Sequence, residues 1–355
     1  MFLLLPGVKP MSRVAITGGS GFIGSNLVEY LSNAGHEVLS LDLRPPRNPA
    51  AQCAFKPLDV LDRNGFIDAI ATFDPHYFIH LASRTDLAGK SEHEYRANIE
   101  GVSNAVAAAL SGSSLKRALF ASSMYVCNMG YIPQSDEDYC PHTAYGKSKV
   151  IGEQIVRREL GDRRNWAFIR PTSIWGPWFG EPYITFFHVV RNGMYLHPRG
   201  HRIRRSYGFV LNTVHQIARL MEHDDEAKIQ GRVFYVADYE PIDTRAWAQT
   251  IASNFGSTRI HDVPLAVLRL AAKVGDIQKR LGVKNPKLTT FRLNNLLTNA
   301  VFDLSPLREI AGPQPYTISE GVTITVKWMR KFALGKEPES RDGKPEASRE
   351  VKGSE

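Results

Sequence analysis

The chain has 355 residues, 43% of them hydrophobic, so it can bury a full core, and disorder is excluded for most of its length. Its formal net charge of +8 favours anionic partners, a class that holds phosphorylated small molecules as well as nucleic acids. Cys53, Cys127 and Cys140 are odd in number and lack paired spacing, which argues against a disulfide framework and a zinc site. No metal is expected, and a reducing, cytoplasmic setting is. The apolar run at 1–5 stops at Pro6 and Gly7, far short of the roughly 18 residues that span a bilayer. It is also shorter than the core of a signal peptide, so residues 1–10 read as a loose extension with Met11 a candidate start.

From Arg13 onward, short apolar runs alternate with longer stretches of helical periodicity, the pattern of a parallel sheet covered on both faces. Strands are expected at 13–17, 37–41, 54–58, 77–81, 117–121 and 166–170, with helices between them. The first strand runs into Thr17-Gly18-Gly19-Ser20-Gly21-Phe22-Ile23-Gly24. Gly18 permits a tight turn, Gly21 removes the side chain that would block an approaching phosphate, and Gly24 lets the following helix pack on the strand. The free amides and the helix dipole then hold a pyrophosphate. At the end of the second strand stands Asp42, eighteen residues after Gly24, where a carboxylate accepts hydrogen bonds from a ribose diol. It would repel a 2'-phosphate, so NAD is expected rather than NADP, although Arg44 softens that repulsion.

Further along, Ile99, Val102, Val106 and Leu110 recur at the spacing of a buried helix face over 94–110. Ser122 and Ser123 follow the fifth strand on the carboxyl edge of the sheet, where a hydroxyl can steady developing charge on a reacting oxygen. Tyr145 and Lys149 share one helix face at i, i+4. The spacing predicts that the ammonium lowers the phenol's pKa, so that a phenolate takes a proton from an alcohol as hydride leaves.

After Pro171 the rhythm breaks, with Pro177, Pro182 and Pro198 among aromatics, before a strand expected near 206–211. Arg199, His201, Arg202, Arg204 and Arg205 form a basic cluster suited to phosphate oxygens. A strand at 232–236 and helices near 244–255, 265–281 and 319–332 are expected to complete a smaller C-terminal lobe. In the helix at 265–281, Leu265, Leu268, Ala272 and Leu281 are expected to face the core, with Arg269, Lys273, Lys279 and Arg280 making the remainder basic. Core packing is expected there in preference to a membrane surface. The tail at 336–355 has five basic and six acidic residues and one large apolar residue, Val351, and is expected to be disordered.

Taken together, these residues resemble the extended short-chain dehydrogenase/reductase family, in particular its nucleotide-sugar epimerases and dehydratases. The resemblance covers about residues 13–335. It rests on the glycine turn, Asp42, Asp59-Val60, His80-Leu81-Ala82, Asn98, Ser122-Ser123, Tyr145-Gly146-Lys147-Ser148-Lys149 and Arg170-Pro171-Thr172. It implies an α/β fold, a Rossmann-type doubly wound parallel sheet with a smaller, interleaved C-terminal substrate lobe. The NAD-binding domain would span 11–172 with returning segments near 206–236, and the substrate lobe 173–205 and 237–335.

By the same resemblance Gly18, Gly21, Phe22, Ile23, Gly24, Leu81, Ala82 and Asn98 would line the cofactor site, Asp59 and Val60 would contact adenine, and Pro171 would lie beside the nicotinamide. Ser123, Tyr145 and Lys149 would be catalytic, Ser123 being preferred to Ser122 for its place three residues before Val126. Arg205, with Arg292 as a second ligand, would bind the diphosphate of a nucleotide sugar. Met124 and Tyr125 stand where the dehydratases have Asp-Glu, which argues against 4,6-dehydration. The function implied is an NAD-dependent nucleotide-sugar 4-epimerase, working as a homodimer joined through helices near 94–110 and 143–160, without nucleic acid. A one-way nucleotide-sugar ketoreductase or hydroxysteroid-type dehydrogenase is the alternative. A non-catalytic NAD- or RNA-binding relative is argued against by the intact Ser123, Tyr145 and Lys149.

Overall fold

The computed structural model describes residues 11–48, 53–256, 260–283 and 288–333. The extension at 1–10 and the tail at 336–355 lie outside them. In chain order the elements are β1 Arg13–Thr17, α1 Phe22–Asn33, β2 Glu37–Asp42, β3 Ala54–Pro57, α2 Arg63–Phe73, β4 Tyr77–His80, α3 Arg96–Ser111, β5 Arg117–Ala121 and α4 Ala144–Leu160. They continue with β6 Asn165–Pro171, β7 Ser173–Trp175, α5 Tyr183–Arg191, β8 Leu196–Pro198, β9 Arg204–Arg205, β10 Tyr207–Phe209, α6 Val210–Glu222 and β11 Arg232–Val236. The last are β12 Ile242–Asp243, α7 Thr244–Phe255, β13 His261–Val263, α8 Leu265–Arg280, α9 Thr290–Leu297, α10 Ser305–Ala311 and α11 Ile318–Trp328.

Seven strands form one parallel sheet in the order β11-β6-β5-β4-β1-β2-β3. Because successive side chains of a strand point to opposite faces, an apolar run buried on both sides feeds two cores. Val14 and Ile16 enter the core that holds Leu27 of α1 and Val214 of α6, whereas Ala15 enters the one that holds Phe66 of α2 and Val106 of α3. The strand order reverses between β1 and β4, and the crevice left there at the carboxyl ends is where such sheets take ligands.

Two expectations are corrected. The strand expected at 206–211 is only Tyr207–Phe209, and Val210 and Leu211 open α6. A short apolar run does not reveal where strand periodicity yields to helical. This strand also does not return to the main sheet: β10 pairs with β7, and of the segments near 206–236 only β11 joins the seven strands, at the edge beside β6. The C-terminal elements pack instead around aromatic rings, with Trp247 of α7 stacked on Phe186 at 4.8 Å and tilted against Trp175 at 5.3 Å.

Asp238, just after β11, joins three segments: it accepts hydrogen bonds from the Phe209 amide at 3.1 Å, from Asn212 Nδ2 at 2.8 Å and from Gln314 Nε2 at 3.3 Å. Burial outweighs these bonds and pushes its pKa up to about 6. An acid whose folded pKa is raised gives stability that is complete below its unfolded value and lost as pH rises through the folded one. Between about pH 4 and about pH 6 this group should therefore remove up to about 3 kcal/mol. Urea unfolding of the wild type and Asp238→Asn across that window checks it, because the difference between their slopes isolates Asp238. Parallel slopes would contradict it.

Candidate active site

At the end of β1 the chain turns at Gly18, whose φ is +70° and where a Cβ would stand 2.7 Å from the Ala82 amide nitrogen. Only glycine combines that conformation with so close an approach to the segment after β4. Gly21 caps α1 without a side chain, so the first amides of the helix face the crevice with the positive end of its dipole. At Gly24 a Cβ would strike the Gly18 carbonyl and come within 2.8 Å of Gly19 Cα. Gly24→Ala is therefore expected to push α1 off the turn and weaken NAD binding at least about tenfold by calorimetry. Unchanged affinity would mean that the turn does not form the cradle.

The turn opens into a cavity of 830 Å³ that runs along the carboxyl edge of the sheet. Gly18, Gly21, Phe22, Ile23 and Gly24 line its centre, and Asp42, Asp59 and Val60 line one end. The Asp42 carboxylate accepts from the Ser20 amide at 3.1 Å and from the Arg44 amide at 3.2 Å, which fixes it at the rim. Leu81, Ala82 and Pro171 line the walls toward the other end. The glycine cradle, the open amides and the rim carboxylate fit a dinucleotide: the pyrophosphate on the turn and an adenosine ribose at Asp42.

Asn98 does not line this cavity. Its Oδ1 accepts from the Arg84 amide at 2.8 Å, and its Nδ2 donates to the Arg84 carbonyl and to Ser148 Oγ, each at 3.0 Å. It splints the lining segment after β4 onto α4, and the expectation that it lines the site is corrected, because its amide is spent on Arg84 and Ser148.

At the far end stand Ser123, Tyr145 and Lys149, all lining the cavity. Thr143 starts α4 by accepting the Gly146 amide at 3.0 Å, and the first two turns of the helix place Tyr145 and Lys149 on one side. Ser123 Oγ accepts from the Tyr125 amide at 3.2 Å and acts on the Tyr145 hydroxyl, lowering its pKa. Ser122 also lines the cavity, but its hydroxyl is buried and has no hydrogen-bond partner among the described residues. Lys149 Nζ donates to the Ala121 carbonyl at 2.9 Å and lies 6.0 Å from the centre of the Tyr145 ring.

The electrostatics differ from the sequence expectation. Burial pushes Tyr145 up to about 12, and the neighbouring Ser123 hydroxyl offsets that only in part. Burial likewise pushes Lys149 down to about 8, against the attraction of Glu153. The ammonium is held on a carbonyl instead of on the phenol, so desolvation of the hydroxyl wins.

One turn beyond Lys149, Glu153 meets Arg170 of β6 in an ion pair of 2.8 Å, each side chain only 1% exposed. Tyr139 donates to the same carboxylate at 2.9 Å, and Arg170 also donates to the Asp136 carbonyl at 2.6 Å and to the Tyr235 hydroxyl at 3.3 Å. Burial works against the guanidinium's charge, but the bonds and charge of Glu153 outweigh it, so the Arg170 pKa is raised. This network locks α4 to the sheet. Its one sequence signal was an arginine closing the apolar run Trp166-Ala167-Phe168-Ile169.

Beyond Tyr145 the wall includes Leu87, Met124, Tyr125, Phe179, Glu181, Pro182 and Tyr183, of which none was singled out from sequence as a ligand contact. Neither Arg205 nor Arg292 lines it. Arg205 is buried, donating to Met129 Sδ at 2.9 Å and to the carbonyls of Asn295 and Leu296. From there its charge reaches the Tyr125 and Tyr183 hydroxyls, whose pKa values burial raises and the guanidinium lowers in part. Arg292 is exposed on the first turn of α9.

The NAD dependent epimerase/dehydratase family matches residues 14–237. A 3-beta-hydroxysteroid dehydrogenase of Mycolicibacterium neoaurum is 26% identical over 328 residues, covering 87% of this chain and 89% of that one. The N-acetyl-alpha-D-glucosaminyl-diphospho-ditrans,octacis-undecaprenol 4-epimerase of Escherichia coli is 23% identical over 327 residues, covering 89% and 95%. The fold is shared with the UDP-glucose 4-epimerase of Thermotoga maritima, solved with UDP-glucose, at a TM-score of 0.67 and 19% identity over 90% of this chain and 99% of that one. The chain belongs to the NAD-dependent epimerase/dehydratase family and is an enzyme of the extended short-chain dehydrogenase/reductase type with NAD as its cofactor.

Proposed function

We propose that the enzyme oxidises and reduces a secondary hydroxyl group, with Tyr145 as proton carrier, Ser123 holding the reacting oxygen and Lys149 as the buried cation beside them. The observation that carries this reading is the meeting of these three side chains at one end of the cavity whose centre is the glycine cradle. NAD, when bound, supplies the hydride acceptor and donor. The Tyr145 oxygen takes the proton of the substrate hydroxyl and returns it in the reverse direction, while Ser123 donates to the oxygen that becomes a carbonyl. Lys149, held on the Ala121 carbonyl 6.0 Å from the centre of the Tyr145 ring, is the buried cation beside the reacting groups, while burial keeps the phenol's own pKa raised.

The first substrate reading is a sugar carried on a nucleoside diphosphate, epimerised at C4 by oxidation and re-reduction on the opposite face. The epimerases among its relatives support it. A second reading, one-way oxidation of an apolar secondary alcohol, is favoured by one observation: apart from Glu181 the wall beyond Tyr145 is mainly aromatic and aliphatic, and Arg205 is turned to backbone carbonyls. The hydroxysteroid dehydrogenase relative points the same way. Incubation of the protein and NAD with UDP-, GDP- and dTDP-sugars and with sterol alcohols separates them. Isomer formation without NADH supports the first, stoichiometric NADH from an apolar alcohol the second, and no turnover in either series rejects both.

A further inference from the structure

Two sides of α8 are apolar, and the fold uses one. Leu268 and Ala272 are buried in a cluster with Leu293 of α9. On the opposite side Val267, Leu270, Val274, Ile277 and Leu281 are 53%, 66%, 49%, 54% and 80% exposed. Leu281, expected in the core, thus points outward, because its helical position falls with this second stripe. At about 100° per residue the five fall within an arc of about 80° and extend over about 21 Å of helix. Val283 and Phe291, also exposed, lie just beyond the end of α8 and at the start of α9. A register of this kind differs from the single exposed hydrophobic residues that any monomer scatters over its surface.

Charge on the helix is equally ordered. Arg269, Lys273 and Arg280 are exposed and fall together along one flank of the stripe. Asp276, the one acid of α8, accepts the Thr290 amide at 3.1 Å at the start of α9, away from the stripe. An apolar face bordered by a row of cations, with no acid on it, is complementary to anionic lipid, and the chain's net charge of +8 acts in the same direction.

We propose that this face of α8 docks the enzyme on an anionic bilayer, its five apolar side chains entering the acyl boundary and Arg269, Lys273 and Arg280 meeting lipid phosphates. α8 packs on α9, and Arg205 holds the carbonyls of Asn295 and Leu296 in α9, which ties the docked face to β9.

Flotation of the full chain with vesicles tests it. The wild type should float with mixed phosphatidylcholine and phosphatidylglycerol vesicles, and Leu270→Ser/Ile277→Ser should bind them at least about tenfold more weakly. Lys273→Ser/Arg280→Ser should weaken binding about fivefold per charge removed, as should high salt in part. All four side chains are exposed, so melting temperature and NAD affinity should be unchanged. Failure of the wild type to float, or equal flotation of wild type and Leu270→Ser/Ile277→Ser, overturns the proposal. A dimer seen by light scattering and lost in that variant, without flotation, overturns it in favour of a second copy on the stripe.

Discussion

Tyr145→Phe is expected to lower turnover of whichever alcohol the enzyme accepts by about 10²–10⁴-fold while leaving NAD affinity within about twofold. The substitution removes one oxygen and keeps the ring, which packs against Tyr95 at 5.9 Å and Tyr125 at 6.1 Å. Shape and burial are retained, and the loss falls on proton transfer. Ser123 keeps its bond from the Tyr125 amide, so the segment after β5 holds its place. Steady-state rates and calorimetry on the same preparation check both halves. A drop in NAD affinity matching the drop in rate would make Tyr145 a binding residue.

Arg170→Met is expected to cost about 3–5 kcal/mol of stability, because it strands the Glu153 carboxylate in a dry site. Against a total of about 5–15 kcal/mol for a typical domain, that is enough to lower the urea midpoint far more than any surface change. Glu153→Gln/Arg170→Met, which removes the charge along with its partner, should recover part of the loss. The double variant still lacks the bonds of Arg170 to the Asp136 carbonyl and the Tyr235 hydroxyl, so recovery should be incomplete. If the single variant unfolds at the wild-type urea concentration, the pair does not lock α4 to the sheet.

What was legible in the sequence was what physics makes local. The turn after β1 needs glycine at Gly18 and Gly24 for steric reasons that a few neighbouring residues impose. Tyr145 and Lys149 read as partners because helical spacing alone brings them to one side. Contacts across long separations were not legible. Arg205 finds Met129, Asn295 and Leu296, 76 to 91 residues away, and nothing in the basic run around it says that its fork turns to carbonyls. Asn98 was recognisable by resemblance, but its partners Arg84 and Ser148 belong to a loop and another helix. In α8 the sequence reading joined Leu281 to Leu265, Leu268 and Ala272 on one core-facing side and passed over Val267, Leu270, Val274 and Ile277; packing of Leu268 and Ala272 against Leu293 decided which side went in. The Tyr145 pKa followed burial, a property of the assembled cavity, and the i, i+4 rule carries no information about that.

The most direct measurement is transfer of deuterium from the carbinol carbon of a turned-over substrate to NAD in a single turnover, with wild type and Tyr145→Phe run side by side. The mechanism predicts deuterated NADH in the wild type, transient for an epimerase and persistent for a dehydrogenase, with formation slowed about 10²-fold or more in Tyr145→Phe. Product formed without deuterium reaching NAD, or transfer at the same rate in both proteins, would contradict it.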